Sequence, residues 1–405
     1  MNKIIIVGGG ASGLMAGITA ASKGADVTIL EKEKKPGKKL LKTGNGKCNM
    51  TNTGESRHAY RGCDPSFAEK ILEEYSVQET ISFFLHIGIY TLNRDGWVYP
   101  YCEQSGAVLE ALLMEAKRLG IRIKNNENVT EIRPSGSGFE VLTDTWKYPS
   151  DRVILACGTA ASLPLKNNYN GFSLALRLGH TMVPALPALV PLVPEKTAVF
   201  PWAGVRIRAC IRLFTGGIFL MENEGQLQLT EYGISGIPVF GISGTAGHLL
   251  LSGAPVRTVI DFFPDFDPAS FLSFLEARKE EHPERNMDEL LIGLFPDRLI
   301  PVLTEGCINL EMLASKIKSF PLDIKSTLDL SHAQCTAGGI RSDEVSSETC
   351  ESKIVPGLFI TGEMLDIDGD CGGWNLQFAW STGAIAGKAA AEKAKNKNQE
   401  AKSVK

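Results

Sequence analysis

The residues best suited to chemistry lie near the start of the chain: Gly8, Gly10 and Gly13, spaced as G-x-G-x-x-G, with Glu31 closing the next apolar run. In such a run the first glycine lets the backbone turn tightly, the second admits a pyrophosphate, and the third lets a helix pack on a strand. Free N–H groups at the helix start then attract the phosphates. Gly8, Gly10, Ala11, Ser12 and Gly13 are therefore candidate dinucleotide contacts. A carboxylate at Glu31 suits a ribose diol and repels a 2′-phosphate, so FAD or NAD is expected rather than NADP.

An NAD dehydrogenase needs only this half, whereas an FAD protein of this type needs a distant segment to hold the isoalloxazine ring. The sequence offers one. Pro356 to Glu363 reads as a strand ending in Gly362-Glu363, which brings an acidic side chain near a ribityl chain. Gly369 to Gln377, with Gly373, Asn375, Leu376 and Gln377, then leads into a small-residue helix running to about Ala394. The start of that helix can aim N–H groups at the flavin N1/C2=O edge, where negative charge gathers on reduction. No second G-x-G-x-x-G follows a strand in the middle of the chain, so a separate NADPH domain is not expected. A nicotinamide donor would bind transiently.

Between these segments, Lys38 to Asn52 supplies Gly44 and Gly46 for close backbone approach, and Asn49 among several neutral donors and acceptors. Lys32, Lys34, Lys35, Lys38 and Lys39 form a basic run, mostly a solvated face, in which Lys38 or Lys39 can offset pyrophosphate charge. Cys48 stands without a second cysteine in its segment, so it reads as a small residue packed near the cofactor rather than half of a redox pair. Ala156 and Gly158 end a strand that can close over the adenine side. No catalytic residue is fixed by a motif. Tyr101, Tyr232, His332 and Trp374 are candidates to line the substrate site, with Tyr101 or Tyr232 conceivable as proton donors. H-E-x-x-H, C-x-x-C and G-x-S-x-G are all absent from the sequence, which removes support for metal and serine hydrolases, and no metal is expected.

The elements that must position these residues follow from periodicity. Lys3 to Val7, Gly13 to Lys23 and Ala25 to Glu31 read as a β-α-β unit, which predicts a parallel sheet covered by helices. Amphipathic helices are expected over Pro65 to Ile87 and Gln104 to Leu119, and strands of period two between residues 121 and 157. Five prolines between residues 182 and 201 (Pro184, Pro187, Pro191, Pro194 and Pro201) mark a crossover into another module. Strands are expected at Val205 to Phe214, Gly217 to Glu222, Gln226 to Thr230 and Val256 to Phe262, then helices at Asp267 to His282, Met287 to Phe295 and Leu310 to Phe320. The expected plan is thus an α/β, Rossmann-like domain built from 1–190 and 331–405, interrupted by an insert over 191–330 that is β-rich to 264 and mainly helical from 265.

Composition agrees with a folded chain of two to three domains: 405 residues, 43% hydrophobic and 22% charged. The net charge of −4 gives no electrostatic footprint for nucleic acid or an anionic membrane. Nine cysteines without a C-x-x-C pair suit a reduced, cytoplasmic setting. The apolar stretch Ile4 to Ala21 imitates a signal peptide, but its glycines argue against one.

The chain resembles the BaiN/YhiN-type flavoprotein family, some of whose relatives are labelled aminoacetone oxidase. The likeness rests on Gly8 to Gly13, on Lys42 to Asn52, on Thr230 to Pro238, on Ala337 to Ile340 and on Gly362 to Gln377, which occur in the family's order along nearly the whole chain. Lys47 stands where arginine is common and Trp374 where tyrosine is common. The resemblance implies bound FAD and an insert with a β-barrel part and a helical part. It also implies contacts to FAD from Lys39, Leu40 and Val129. The implied reaction is NAD(P)H-dependent reduction of an activated C=C bond, as in a steroid-like or bile-acid-like 3-oxo enone, by hydride transfer through flavin N5. Two alternatives stay open: a flavin amine oxidase using O₂, and a flavin-bearing accessory or RNA-modifying protein. A small-molecule substrate is expected, with no nucleic acid and no membrane.

Overall fold

The computed structural model describes residues 2–162, 171–195 and 201–392. They fall into two compact units, Met1–Ala185 with Ala337–Lys405, and Leu186–Thr336.

In the first unit, β1 (Lys3–Val7), α1 (Ala11–Ser22) and β2 (Asp26–Glu31) form the expected β-α-β start. The sheet has five strands in the order Leu358–Ile360, Arg152–Leu155, β1, β2, Arg122–Asn125, all parallel. Ile4, Ile6, Ile29, Val153 and Ile154 are fully buried, as a sheet covered on both faces requires. The neighbours of β1 lie on opposite sides, so the crevice at its C-terminal end is the topological switch point where ligands of such sheets bind. The last described helix, Trp374–Ala391, packs along α1 with Gly383 and Gly387 against the carbonyls of Ser12 and Ala16, leaving no room for side chains there. The final turn expected for this helix lies outside the described residues.

Pro65 to Ile87 is two helices rather than one, Pro65–Glu74 and Val77–His86. Ser76 interrupts the run by capping the second: it accepts from Glu79 N, and Glu79 accepts from Ser76 N. The prolines at 184 and 187 lie in Met182–Ala188, which pairs only with Cys335–Ile340, a two-stranded setting where a missing N–H is tolerated.

The second unit contains a closed barrel in the ring order Leu192–Pro194, Ile234–Gly236, Ile218–Leu229, Arg206–Thr215, Val256–Asp261, Phe320–Thr327. The two strands expected between residues 217 and 230 are one, Ile218–Leu229, because its pairing with Arg206–Thr215 continues through Asn223 to Gly225. A helix over Ile237–Leu251 was not expected from periodicity. Its glycine-rich, apolar sequence shows no polar face, since Val239, Ile242 and Ala246 are fully buried and Gly241, Gly244 and Gly247 are buried with them. Further helices, Pro268–Glu281, Met287–Leu291 and Leu310–Lys318, start at Asp267, Asn286 and Asn309, whose side chains accept from N–H groups of the first turn. Among the described residues no helix is long and apolar enough to cross a membrane.

Candidate functional site

The site is built where β1 ends. A Cβ at Gly13 would collide with Gly8 O, and one at Gly8 with Ala156 O, so both glycines are required by close backbone packing. Gly10 differs: a Cβ there would meet nothing within 4 Å among the described residues. It also precedes the first turn of α1 without any side-chain cap. This open, glycine-lined cradle at an uncapped helix start has the form a pyrophosphate needs. Glu31 is buried, with Oε2 accepting from Gly9 N at 2.8 Å and Oε1 from Glu33 N at 2.9 Å. Burial pushes its pKa up, and the two backbone N–H groups oppose that shift.

Two segments far apart in sequence meet beside this cradle. Lys39 Nζ lies 2.5 Å from Glu363 Oε2, and a Cβ on Gly158 would lie 4.0 Å from the same oxygen. Ser12 borders Gly362, whose N–H donates to Thr382 Oγ1 at 2.9 Å. Ala156 N donates to Val7 O, and Cys157 N donates to Met364 Sδ, closing the strand ends together. Leu40 to Gly46 forms a kinked 3₁₀ turn in which Gly44 and Asn45 adopt left-handed backbone. Gly46 has open space where a side chain would be.

The stretch after it is sewn to the start of the last helix. Asn52 Nδ2 donates to Gly372 O at 2.7 Å, Trp380 Nε1 donates to Met50 O at 2.9 Å, and Thr51 Oγ1 donates to Gln377 Oε1 at 2.5 Å. The Asn49 amide donates to the carbonyls of Thr51 and Val98. Gly373 caps the helix in the left-handed region, at φ 96°, again without a side-chain cap. The N–H groups of that first turn are the second anion-attracting end of the site.

Several candidates prove to be scaffold. Gln377 is fully buried, donating to Thr80 Oγ1 and Ser381 Oγ at 2.9 Å each while accepting from Thr51, so its side-chain amide is committed to holding the helix. Asn375 clamps one residue, accepting from Gly369 N and donating to Gly369 O. Leu376 packs on the core, and Val129 is buried at the start of its strand. Cys48 is fully buried, and burial pushes its thiol up to about 12, away from the thiolate that redox or nucleophilic chemistry uses. Lys38 makes a surface pair with Glu33 at 3.3 Å, while Lys32 is half-buried.

The substrate-lining candidates are divided between the two units. Trp374 is 5% exposed and packs edge-on against Tyr60, so it is a core residue rather than a pocket wall. Tyr101 is 67% exposed beside Tyr90. Tyr232 and His332 belong to the second unit. There His332 is exposed and Nδ1 lies 3.1 Å from Asp329 Oδ1, within its own turn. No group of His, Cys, Asp and Glu among the described residues could hold a metal ion.

One residue escaped the sequence reading. Asp368 pairs with Arg61 across a two-residue antiparallel bridge. Of its neighbours at alternate positions, Asp366 Oδ2 accepts from Cys63 N at 3.0 Å, and Asp370 Oδ1 forms an ion pair with Arg61 Nη2 at 2.7 Å without a hydrogen bond. Asp368 itself is 5% exposed, and no hydrogen bond or ion pair reaches its carboxyl among the described residues. Burial pushes its pKa up to about 7, against the pull of Arg61 and with the repulsion of Asp366, Asp370 and Glu363. Acidic residues at positions 366, 368 and 370 of an otherwise apolar segment were the available signal.

Known proteins match this arrangement along its length. The chain is 41% identical over 408 residues to the 3-dehydro-bile acid delta(4,6)-reductase of Clostridium scindens, covering 97% of this chain and all of that one. It is 27% identical over 396 residues to the ribosomal RNA dihydrouridine synthase of Escherichia coli, covering 93% and 95% of the two chains. Among solved structures, 3-ketosteroid delta1-dehydrogenase from Sterolibacterium denitrificans, in complex with 1,4-androstadiene-3,17-dione, shares the fold at a TM-score of 0.51 and 12% identity, over 96% of this chain and 100% of that one. A family model, the HI0933-like protein Rossmann domain, matches residues 2–389. The glycine cradle, the two uncapped helix starts and this match along the chain place the protein in the HI0933-like family of FAD-dependent oxidoreductases.

Proposed function

We propose that the protein uses NAD(P)H to reduce a C=C bond conjugated to a carbonyl, in an apolar 3-oxo substrate of the steroid or bile-acid class. The observation that carries this reading is the 41% identity, over 97% of this chain and all of the other, to a 3-dehydro-bile acid delta(4,6)-reductase. Bound FAD would supply hydride transfer through N5, chemistry that belongs to the cofactor. The chain's own residues hold and orient it. In this reading the start of α1 and Gly10 receive the pyrophosphate, Glu31 the adenosine ribose, and Lys39 and Glu363 the region of the ribityl chain. The start of the helix at Gly373 stabilises negative charge at the N1/C2=O edge.

The test is anaerobic. The FAD-loaded protein is mixed with NADH and with NADPH, and then with a 3-oxo-Δ4 steroid or bile acid, while the flavin spectrum is followed. Rapid bleaching by a nicotinamide and recolouring by the enone are expected. Failure of both nicotinamides to bleach the flavin faster than background overturns the donor, and failure of the enone to recolour it overturns the substrate class.

A second reading has a specific support, the 27% identity to the ribosomal RNA dihydrouridine synthase. The net charge of −4 favours the small molecule, because RNA affinity is dominated by phosphate neutralisation. Recolouring of the reduced flavin by ribosomal RNA and not by the enone would reverse this preference.

A further inference from the structure

We propose that Asp368 is the catalytic acid of this site, giving its proton to the substrate's α carbon as hydride reaches the β carbon. The inference rests on the enone-reductase reading above and adds to it the source of the second hydrogen.

The first support is the carboxyl's isolation. Its two acidic neighbours each have a partner, Asp366 accepting from the Cys63 N–H and Asp370 in an ion pair with Arg61. Asp368 is 5% exposed and no partner reaches it among the described residues. An ionised carboxylate in such a place would be strongly disfavoured by lost hydration, so the group keeps its proton. A buried carboxylic acid with an uncommitted O–H is a donor waiting for an acceptor, and none of the described residues accepts from it.

The second support is how firmly it is placed. Asp368 lies in the bridge to Arg61, and the next residue, Gly369, has both its N–H and its carbonyl clamped by Asn375 in the first turn of the last helix. Along the chain Asp368 lies between Glu363 and the uncapped helix start at Gly373, the two features that frame the flavin in the proposed site, and its carboxyl is near enough to Glu363 to feel that charge. Groups facing it are Arg61, Asp366, Asp370 and Glu363. Its pKa, pushed up to about 7, lies where a general acid works best at neutral pH.

The third support is that three other proton donors of the first unit are exposed or already engaged. Tyr60 is buried, but its hydroxyl already donates to Trp374 O at 3.0 Å, and burial pushes its pKa far up. Tyr101 is exposed beside Tyr90. His180 is engaged on both ring nitrogens, by Glu344 and Ser352.

The step balances. Hydride from the two-electron-reduced flavin forms the new C–H bond at the β carbon, and the flavin is thereby oxidised. The C=C pair shifts to give an enolate, which takes a proton at the α carbon as the Asp368 O–H bond breaks. Water returns a proton to the carboxylate, and NAD(P)H supplies the next hydride.

The experiment uses the full-length, FAD-loaded protein, reduced anaerobically and mixed with a 3-oxo-Δ4 steroid or with ferricyanide, which needs no proton at carbon. Asp368→Asn should slow reoxidation by the enone roughly 100-fold or more, the range for loss of a general acid. Its reoxidation by ferricyanide should stay within about twofold of wild type, the same ferricyanide control applying throughout. The alkaline fall in the wild-type enone rate should vanish in the variant, and Asp368→Glu should recover part of the rate. Infrared spectra near neutral pH should show a protonated-carboxyl band in the wild type that Asp368→Asn lacks. If Asp368→Asn does not retain FAD, Asp368→Glu takes its place, with a shifted carboxyl band and an altered pH profile expected. An enone rate and pH profile unchanged in the variant, or no such band, overturns Asp368 as the acid and leaves the enone reading standing. A wild-type flavin that no 3-oxo enone reoxidises overturns both.

Discussion

Lys39 and Glu363 are separated by 324 positions, yet Lys39 Nζ and Glu363 Oε2 approach to 2.5 Å. With side chains 28% and 18% exposed, the pair is partly shielded from solvent and joins the two halves of the proposed cofactor site. Replacing either partner leaves the other charge half-buried, at a cost of about 1–3 kcal/mol. Lys39→Met and Glu363→Gln should each weaken FAD binding roughly tenfold or more. Flavin release followed by fluorescence checks this, and retention equal to wild type in both variants would contradict it.

The glycines of the first turn should separate folding from binding. Gly13→Ala places a Cβ on Gly8 O and should give little soluble protein. Gly10→Ala meets open space, so the apoprotein should keep its Tm while FAD affinity falls. Thermal unfolding with and without added FAD distinguishes the two, since bound ligand raises Tm only where it binds.

Gln377 links Thr51, Thr80 and Ser381 in one buried network. Gln377→Leu removes their shared partner and should cost about 2–3 kcal/mol, because buried hydroxyls lose hydrogen bonds without regaining water. A lowered urea midpoint with an unchanged m-value is the expected result.

Glu344 gives an acid dependence. Burial alone would raise its pKa, but bonds from Thr181 Oγ1, Thr181 N and His180 outweigh that and hold it below the ordinary 4.5. A carboxylate whose folded pKa is lowered stabilises the protein above its unfolded value and loses that contribution as pH falls through the folded value. Stability should therefore decline below about pH 4.5. Glu344→Gln should show a lower plateau and a shallower decline in Tm measured from pH 7 to 3.

What was legible in the sequence was whatever local spacing encodes. The β-α-β start could be read because β-branched residues, glycines and Glu31 occupy adjacent positions, and the starts of the helices after Asp267, Asn286 and Asn309 because the signals that begin a helix are short-range. The helix Ile237–Leu251 was hidden because its apolar residues and glycines run all round it, which erases amphipathic periodicity. Tertiary packing also decided the site. Nothing near Trp374 indicates that Tyr60 covers it, and nothing near Gln377 indicates that Thr80 uses its amide. Asp368 carried its signal in alternation with Asp366 and Asp370, but its isolation depends on Cys63 and Arg61, about 300 positions away along the chain.

The packing of the last helix along α1 orders events during synthesis. At ribosomal speeds of about 5–20 residues per second, Trp374 emerges tens of seconds after β2. Until then, α1 lacks the partner that meets Ser12 and Ala16. The residues of the second unit, 186–336, are all made before that partner exists. The nascent chain can thus complete its barrel while the dinucleotide fold stands open, and cofactor capture becomes a late, largely post-translational event. A chain truncated before Trp374 should be colourless and bound by chaperones, even though its glycine turn and Glu31 are already present.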